Sequence, residues 1–321
     1  MPGCPQRAPK LLFLGEMGQL VECVLNFSEG RDQDRIQDIA GVLGSFTEVH
    51  LLDCSSDADH NRSVLTFLGV PEAVLKGALA VFEEAIRHID LNCHKGVHPR
   101  IGAVDVVPFV PLRGVSMRDC VQLARRFGKA VSDSHSVPTF LYGEAAVKRT
   151  RRELANIRRG QFEGLRKALS EDPEKEPDFG PAHPHPSAGA CAVGARDLLI
   201  AFNIYLNTAE VRVAQEVARA VRESSGGLPH VLALGLSIES RGQVQVSMNL
   251  TNFRATSIYG VFEEVGEEAV RRGALIAGSE IVGLVPREAL DTGDYRTLMI
   301  DDYSPGLILE ERYYQVTGRR W

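Results

Sequence analysis

The apolar residues of the first half of the chain alternate between short β-type runs and helical spacings. The run at 20–26 is rich in strand-forming residues, and the region after it places apolar residues three and four positions apart, as an amphipathic helix does. The predicted elements are a strand at 20–26, a helix around 36–43, strands near 49–53 and 63–68, a helix over 74–89, a strand at 103–110, a helix over 117–131 and a strand at 137–141. The core of this order is β-α-β-β-α-β.

The second half of the chain repeats this order. Alternating apolar and polar residues on both sides of a turn at 240–242 predict a β-hairpin, and Thr208 is the candidate N-cap of the helix before it. The predicted elements are a strand at 198–206, a helix over 210–222, hairpin strands at 231–238 and 244–248, a helix over 258–269 and a strand at 275–282. This order is again β-α-β-β-α-β.

Two successive units of this kind predict an α+β protein built from two ferredoxin-like subdomains, each an antiparallel sheet with helices on one face. We expect the subdomains to span residues 18–195 and 196–321. Residues 1–17 show no periodicity and are expected to be a disordered or mis-assigned N-terminal extension. The acidic, proline-broken stretch at 170–178 is predicted to connect the two halves.

The composition of the chain argues against nucleic acid and membranes as binding partners of the protein. The chain has 321 residues, and its 36 Lys and Arg residues against 42 Asp and Glu leave a net charge of −6, so we expect small-molecule partners and no nucleic acid. No apolar run approaches the roughly 18 residues that cross a bilayer, so no membrane partner is expected. The six cysteines form no C-x-x-C pair, which favours a reduced, cytoplasmic protein without a zinc site.

One stretch departs from this acidic average. Residues 148–167 carry eight Lys and Arg residues against two Glu residues. One interpretation is a solvated helical face, and the other is an electropositive wall that attracts a polyanionic small molecule. The sequence leaves both open.

The loop at 93–100 holds the first candidate chemistry. Its glycine and proline predict an ordered turn, so His94 and His98 need not share one face as they would in a helical metal site. A histidine flanked by Lys95 and Arg100 suits proton transfer on an anionic substrate, because imidazole titrates near neutrality. The alternative is that one or both histidines brace the loop.

Two further segments are polar and ordered. In the turn at 57–62, Asn61 and Arg62 are candidates for binding a carboxylate, with Asp57 and Asp59 for orienting a cation or an imidazole; a tight Asx turn is the competing explanation. In the segment at 179–189, alternating prolines favour an extended chain whose histidines offer flat faces to a planar ring. From composition alone this segment is a rigid connector.

Ordered motifs recur along residues 18 to about 290. They are N-F-S-E-G at 26–30, N-R at 61–62, H-K-G-V-H-P-R at 94–100 with Asp105, L-Y-G-E-A-A at 141–146, D-F-G-P at 178–181 and G-A-R at 194–196. In order and spacing these motifs closely resemble glutamate formiminotransferase, the folate-dependent family that is fused to a cyclodeaminase in animals. The cyclodeaminase part is expected to be absent here.

The resemblance implies transfer of a formimino group from N-formimino-L-glutamate to N5 of tetrahydrofolate, in a homodimer whose two ferredoxin-like subdomains hold the folate in a groove between them. It places the catalytic histidine at His98 and requires no metal. The folate segment falls on Gly180, Pro181, Ala182, His183, Pro184, His185, Pro186, Ser187, Ala188 and Gly189. Candidates for holding the substrate or balancing a cationic intermediate are Asn26, Asp57, Asp59, Asn61, Arg62 and Arg100.

Some positions depart from the family's pattern in mammals. Val97 stands where those enzymes have Glu before the catalytic histidine, and Ser55 stands where they have an acid, for which Asp57 is a substitute. Pro184 and Ala188 replace aromatic residues of the folate segment, which leaves His183 and His185 as candidate stacking partners.

Three alternatives stay open on the sequence. The first is formyl transfer from N-formyl-L-glutamate on the same fold, since the two donors differ by one heteroatom. The second is a folate-binding protein without transferase activity. The third is a metal-dependent hydrolase built on His60, His94 and His98.

Overall fold

The computed structural model describes residues 18–320, and the N-terminal extension predicted at 1–17 lies outside them. The strands are β1 Leu20–Phe27, β2 Val49–Asp57, β3 Arg62–Gly69, β4 Val104–Arg113, β5 Thr139–Gly143, β6 Cys191–Ala195, β7 Ile200–Leu206, β8 Val231–Ile238, β9 Gln243–Leu250 and β10 Ile276–Val282. The helices are α1 Gln33–Gly41, α2 Pro71–His88, α3 Met117–His135, α4 Leu154–Arg158, α5 Gln161–Glu171, α6 Val211–Val221, α7 Ile258–Val270, α8 Arg287–Leu290 and α9 Leu309–Thr317.

These strands form two sheets, which makes the protein α+β as predicted. The first sheet has the order β2-β3-β1-β4-β6-β5; its first four strands are antiparallel, and β6 pairs parallel to both β4 and β5. The second sheet has the order β10-β7-β9-β8 and is antiparallel throughout. In the four-stranded part β2-β3-β1-β4 of the first sheet, the first and third strands in chain order, β1 and β3, are the two inner strands. In the second sheet the inner strands are β7 and β9, which are again the first and third.

The second sheet buries one face under helices, as expected, whereas the first sheet has parallel strands and helices on both faces, with α5 packed on the side opposite α2 and α3. On β1 the alternate residues Val21, Cys23, Leu25 and Phe27 are fully buried in a core shared with α2 and α3. The equivalent residues of β7 join α6 and α7 in a second core. The period of two in the strands and of 3.6 in the helices produces this arrangement, since each pattern turns one apolar face inward.

The opposite face of the first sheet meets residues from the C-terminal part of the chain. Leu52 and Leu68 form a small apolar cluster with Leu309 and Tyr313 of α9. The guanidinium Nε of Arg312 donates a hydrogen bond of 2.5 Å to the carbonyl of Leu52. The last helix therefore ties the chain that follows the second sheet back onto the first sheet.

Three local predictions need correction. Strand β6 was not predicted, because its short run of small residues shows no alternation of apolar and polar positions. Since β6 joins the first sheet, the acidic stretch at 170–178 is an excursion within the first half and does not connect the halves. Thr208 does not cap α6: Glu210 holds the N-cap position, and Thr208 Oγ1 accepts from the Glu210 amide at 3.2 Å.

Among the helices described, none has the length and apolar content needed to cross a bilayer.

The first core generates a stability prediction. Phe109 of β4 is fully buried, and its ring packs edge-on to Phe127 of α3 with centroids 6.1 Å apart. Phe109→Ala should lower the free energy of unfolding by about 3–5 kcal/mol, because it removes buried apolar surface and leaves a cavity. Urea denaturation measures this, with Val147→Ala at an exposed position as the control. A loss equal to that of the control would contradict the prediction.

Candidate functional site

A small polar pocket lies where the end of β1, the turn between β2 and β3, and the start of β4 meet. Phe27 pairs with Ser63 of β3 on one side and with Val104 of β4 on the other, so the register of the first sheet brings these three segments together. The pocket is lined by His60, Asn61 and Arg62 from the turn, by His94, His98 and Arg100 from the loop before β4, and by Ser28 and Asp105.

The chain that leaves β1 is fixed by close backbone contacts. Ser28 Oγ donates to the carbonyl of Gly102 at 2.7 Å, and the Gly30 amide donates to Asn61 Oδ1 at 2.9 Å. A Cβ on Gly30 would stand 2.2 Å from the carbonyl oxygen of Asp57, so no other residue fits there. Glycine at this position therefore lets the loop after β1 lie directly against the β2–β3 turn.

Asn61 joins all three segments of the site. Its backbone φ is +48°, in the left-handed region that asparagine tolerates. Its Oδ1 accepts from Gly30, its Nδ2 donates to the carbonyl of Lys95 at 3.0 Å, and its own carbonyl accepts from His94 Nε2 at 2.8 Å. Since both amide atoms of Asn61 bond to backbone groups of other segments, its side chain organises the loops of the site.

His94 and Arg100 form a second fixed group. Because a carbonyl only accepts, His94 carries its proton on Nε2, and its Nδ1 accepts from Arg100 Nε at 3.1 Å. The other nitrogens of Arg100 make a two-pronged ion pair with Glu163, at 2.7 and 2.8 Å. Burial lowers the pKa of His94. A substrate carboxylate would therefore have to displace Glu163 to reach Arg100, whose side chain is 7% exposed.

His98 is half-buried and faces Arg62. Arg62 Nη1 lies 2.7 Å from His98 Nε2, and since a guanidinium only donates, Nε2 is the acceptor and the imidazole is neutral. Burial lowers the pKa of His98 well below its usual value, and the positive charges of Arg62 and Arg158 lower it further. The site therefore holds a neutral histidine whose Nε2 accepts a hydrogen bond from Arg62.

Arg62 itself is partly desolvated. Burial, together with the positive charge of Arg158, lowers its pKa to about 10, while Asp105, Asp57 and Glu280 act in the opposite direction. Arg62 remains a cation at neutral pH. Among the residues expected to bind a substrate carboxylate, Arg62 is the one whose guanidinium contacts His98.

The two acids of the β2–β3 turn have separate partners. Asp57 Oδ1 accepts from the His60 amide at 2.7 Å and from His60 Nδ1 at 2.9 Å. Burial raises the pKa of Asp57, but these hydrogen bonds outweigh burial and leave it below its usual value. The ring of His60 lies 6.0 Å from that of His98. Asp59 Oδ2 accepts from Ser240 Oγ at 2.5 Å, which joins this turn to the β8–β9 hairpin.

Part of the basic stretch turns inward behind the site, contrary to the interpretation of a wholly solvated face. Arg158 binds Asp105 Oδ2, with Nε at 2.9 Å, and Asp105 Oδ1 accepts from the Ile101 amide at 2.7 Å. Arg151 is buried and pairs with Asp178 at 2.8 Å. The sequence analysis did not predict these two ion pairs. They could have been found because Asp105 and Asp178 both belong to the family motifs, and the stretch at 148–167 has more arginines than nearby acids.

The predicted folate segment runs beside the loop that carries His98 but does not line its pocket. The carbonyls of Ser187 and Ala188 accept from the amides of Leu91 and Ala103, each at 2.9 Å. His185 Nδ1 accepts from the Ala188 amide at 3.0 Å, so this imidazole braces its own loop. His183 is exposed. Asn26, another candidate, is half-buried on the free face of β1 and donates to the carbonyl of Val24.

The three histidines named for a metal site have other partners. Both ring nitrogens of His94 are hydrogen-bonded, and His60 Nδ1 is paired with Asp57. Within residues 18–320 no cluster of three or more His, Cys, Asp or Glu side chains has the geometry to hold a metal ion.

The sequence matches one known family over both halves. The N-terminal subdomain of the formiminotransferase domain matches residues 20–196, and the formiminotransferase domain matches residues 201–303. The chain is similar to glutamate formimidoyltransferase of Thermoplasma acidophilum, with 46% identity over 91% of this chain and 97% of that protein. It is also similar to glutamate formimidoyltransferase of Streptococcus pyogenes, with 41% identity over 89% and 96% of the two chains.

Animal relatives match over part of their length. Formimidoyltransferase-cyclodeaminase of Mus musculus is 44% identical over 85% of this chain, which covers 51% of that protein.

The contact between Arg62 and His98 generates a prediction. Arg62→Met should raise the pKa of His98 toward its ordinary value, because it removes the cation that disfavours protonation of the imidazole. An NMR titration of the histidine Cε1–H signals measures this, with His98→Gln used to assign the resonance. Arg87→Met, on the exposed side of α2, should leave the signal where it is. An unchanged or lower pKa in Arg62→Met would contradict the electrostatic role.

Proposed function

The chain belongs to the formiminotransferase family, and from this membership we infer that it transfers the formimino group of N-formimino-L-glutamate to N5 of tetrahydrofolate, giving 5-formiminotetrahydrofolate and L-glutamate in histidine degradation. The observation that carries this conclusion is the identity of 41–46% over nearly the full length of relatives named for this activity. Formyl transfer is not favoured, because those relatives are named for formimidoyl transfer.

We propose that His98 is the acid–base catalyst. The reaction forms a bond from N5 of tetrahydrofolate to the formimino carbon and breaks the bond from that carbon to the glutamate nitrogen. N5 loses a proton and the departing nitrogen gains one, so a single imidazole serves both steps. The neutral His98 with an accepting Nε2 is in the correct state for the first step.

Arg62 is proposed to bind a carboxylate of the glutamate part of the donor. In the free site its guanidinium occupies the His98 lone pair. A substrate carboxylate is a stronger partner than a neutral imidazole, since it forms charge-assisted and two-pronged hydrogen bonds. Substrate binding would therefore draw Arg62 away and release Nε2 for proton transfer. Asp57 and Asp59 are proposed to balance the positive charge of the intermediate.

Tetrahydrofolate is proposed to bind along Gly180–Gly189 as a co-substrate. The extended course of this segment beside the His98 loop and the exposed ring of His183 support the proposal. The basic residues that stay exposed in the stretch at 148–167, among them Arg166 and Lys167, are placed to meet the anionic tail of the folate.

We further propose two ferredoxin-like subdomains, at 18–195 and 196–321, with a ligand groove between them. The central position of the first and third strands in both sheets supports this fold, with β6 and β5 as additions to the first. The two sheets use residues on either side of 195, which agrees with the proposed boundary.

The protein is proposed to be a cytoplasmic homodimer, as the resemblance implies. The five cysteines that lie in the described part of the chain are free thiols, which is typical of a reducing compartment.

The catalytic proposal is tested by assaying formation of 5-formiminotetrahydrofolate from tetrahydrofolate and formiminoglutamate. His98→Ala should lower turnover by roughly 10²–10⁴-fold, because general acid–base catalysis is lost. His88→Ala, on the outer side of α2 and paired with Glu84, is the matched control and should keep the parent rate. A near-normal rate in His98→Ala would remove His98 from the mechanism.

The folate proposal predicts a different kinetic signature. His183→Ala should raise the KM for tetrahydrofolate by about two- to tenfold with little change in kcat, because a stacked ring stabilises ground state and transition state equally. Steady-state kinetics with the same His88→Ala control measure this. A drop in kcat at constant KM would show that the segment does not act by binding folate.

A further inference from the structure

A carboxylate on the second sheet acts electrostatically on the arginine that contacts His98. Glu280 lies on β10 opposite Asn203 of β7, on the face turned away from the second core. Its Oε2 accepts from the Tyr205 hydroxyl at 2.7 Å and from Asn203 Nδ2 at 3.3 Å. Within residues 18–320, no side chain or amide donates a hydrogen bond to its Oε1. Glu280 is only partly buried, so this oxygen is open to a ligand.

Glu280 and His98 act on the same guanidinium. The negative charge of Glu280 favours the charged form of Arg62, and Arg62 Nη1 lies 2.7 Å from His98 Nε2. Ser240 donates a hydrogen bond of 2.5 Å to Asp59. This bond holds the β8–β9 hairpin against the β2–β3 turn, which carries Arg62. A residue of the second sheet is thereby held within electrostatic reach of the catalytic candidate.

The surroundings of Glu280 are polar and incompletely satisfied. Gln245 lies opposite Tyr205 in the sheet, is 1% exposed, and neither polar atom of its amide makes a hydrogen bond of normal geometry to the described residues. Arg241 stacks its guanidinium over the Tyr205 ring at 4.1 Å. The side chain of Gln245 also interacts with the Tyr205 hydroxyl, so the polar residues of this face support the position of Glu280.

The other acids near the site already hold groups of the protein. Asp105 binds Arg158, Glu163 binds Arg100, Asp57 binds His60 and Asp59 binds Ser240. Like Asp57, Glu280 accepts both of its hydrogen bonds on one oxygen, but its donors are the neutral groups of Tyr205 and Asn203 and not a histidine. They orient the carboxylate and leave the second oxygen for a donor from outside.

The group that the substrate transfers would suit the free oxygen of Glu280. A formimino group is an amidine, which is protonated at neutral pH and presents N–H donors on a flat cation, as a guanidinium does. A formyl group is neutral and presents a carbonyl oxygen that only accepts. A carboxylate attracts the first and repels the second, so it discriminates by charge and by hydrogen-bond direction.

We propose that Glu280 binds the cationic formimino group of the donor and selects formimino over formyl substrates. This inference rests on the proposed function and deepens it. Tyr205 and Asn203 position the carboxylate, and burial together with Glu280 raises the pKa of Tyr205, so its hydroxyl stays a donor.

The test compares two donors in the absence of tetrahydrofolate, so that binding is measured without turnover. Calorimetry with N-formimino-L-glutamate and N-formyl-L-glutamate should show tighter binding of the formimino compound by the parent protein. Glu280→Gln keeps the shape and the acceptor for Tyr205 but removes the charge. It should weaken formimino binding by about tenfold to a hundredfold and leave formyl binding unchanged or stronger.

Two further variants keep the charge and control for structural effects. Glu280→Asp and Tyr205→Phe should each retain preference for the formimino donor, and Glu216→Gln, in a surface ion pair with Arg212, should match the parent protein. Equal weakening of both donors in Glu280→Gln, or an unchanged preference, would overturn the proposal. Failure of the parent protein to form 5-formiminotetrahydrofolate in the full assay would instead overturn the proposed function, so the two failures are distinguishable.

Discussion

The site depends on the hydrogen bonds of one buried asparagine. The side chain and carbonyl of Asn61 hold the loop after β1, the β2–β3 turn and the loop before β4 in one arrangement. These segments are separated by about thirty residues of sequence but are neighbours in the sheet, so a local turn cannot fix them. Their close approach also requires glycine at positions 30 and 96, where a Cβ would stand 2.2 Å from a backbone oxygen. The asparagine amide and the two glycines thereby set where His98 can lie.

The electrostatics of the pocket follow from this packing. Arg62 and Arg158 both lower the pKa of His98, and burial adds to their effect. A neutral imidazole in contact with a cation suits an enzyme that must first accept a proton. The inward ion pairs of Arg100 with Glu163 and of Arg158 with Asp105 keep the remaining charges satisfied. Anionic ligands therefore meet a positively charged site in a protein of net negative charge.

The second sheet contributes a different kind of surface. The face opposite its core carries Tyr205, Gln245 and Glu280, which are polar residues in alternating positions, and Tyr205 and Gln245 are buried there. Contacts from Ser240 and from α9 bring this half of the chain against the first sheet. The chemistry proposed here accordingly draws on residues about 180 positions apart, such as His98 and Glu280, and neither half would carry it alone.

The sequence by itself determined nine of the ten strands, the helices α1, α2, α3, α6 and α7, the α+β class and the family, because periodicity and ordered motifs are local properties that survive without coordinates. Only the tertiary structure showed that Asn61 and Arg100, two candidates for holding the substrate, also act as scaffold, because they bond partners 31–63 residues away. It also decided that the run Cys191–Ala195 inserts as a parallel strand between β4 and β5. Such pairings depend on long-range packing, which no local pattern of residues encodes.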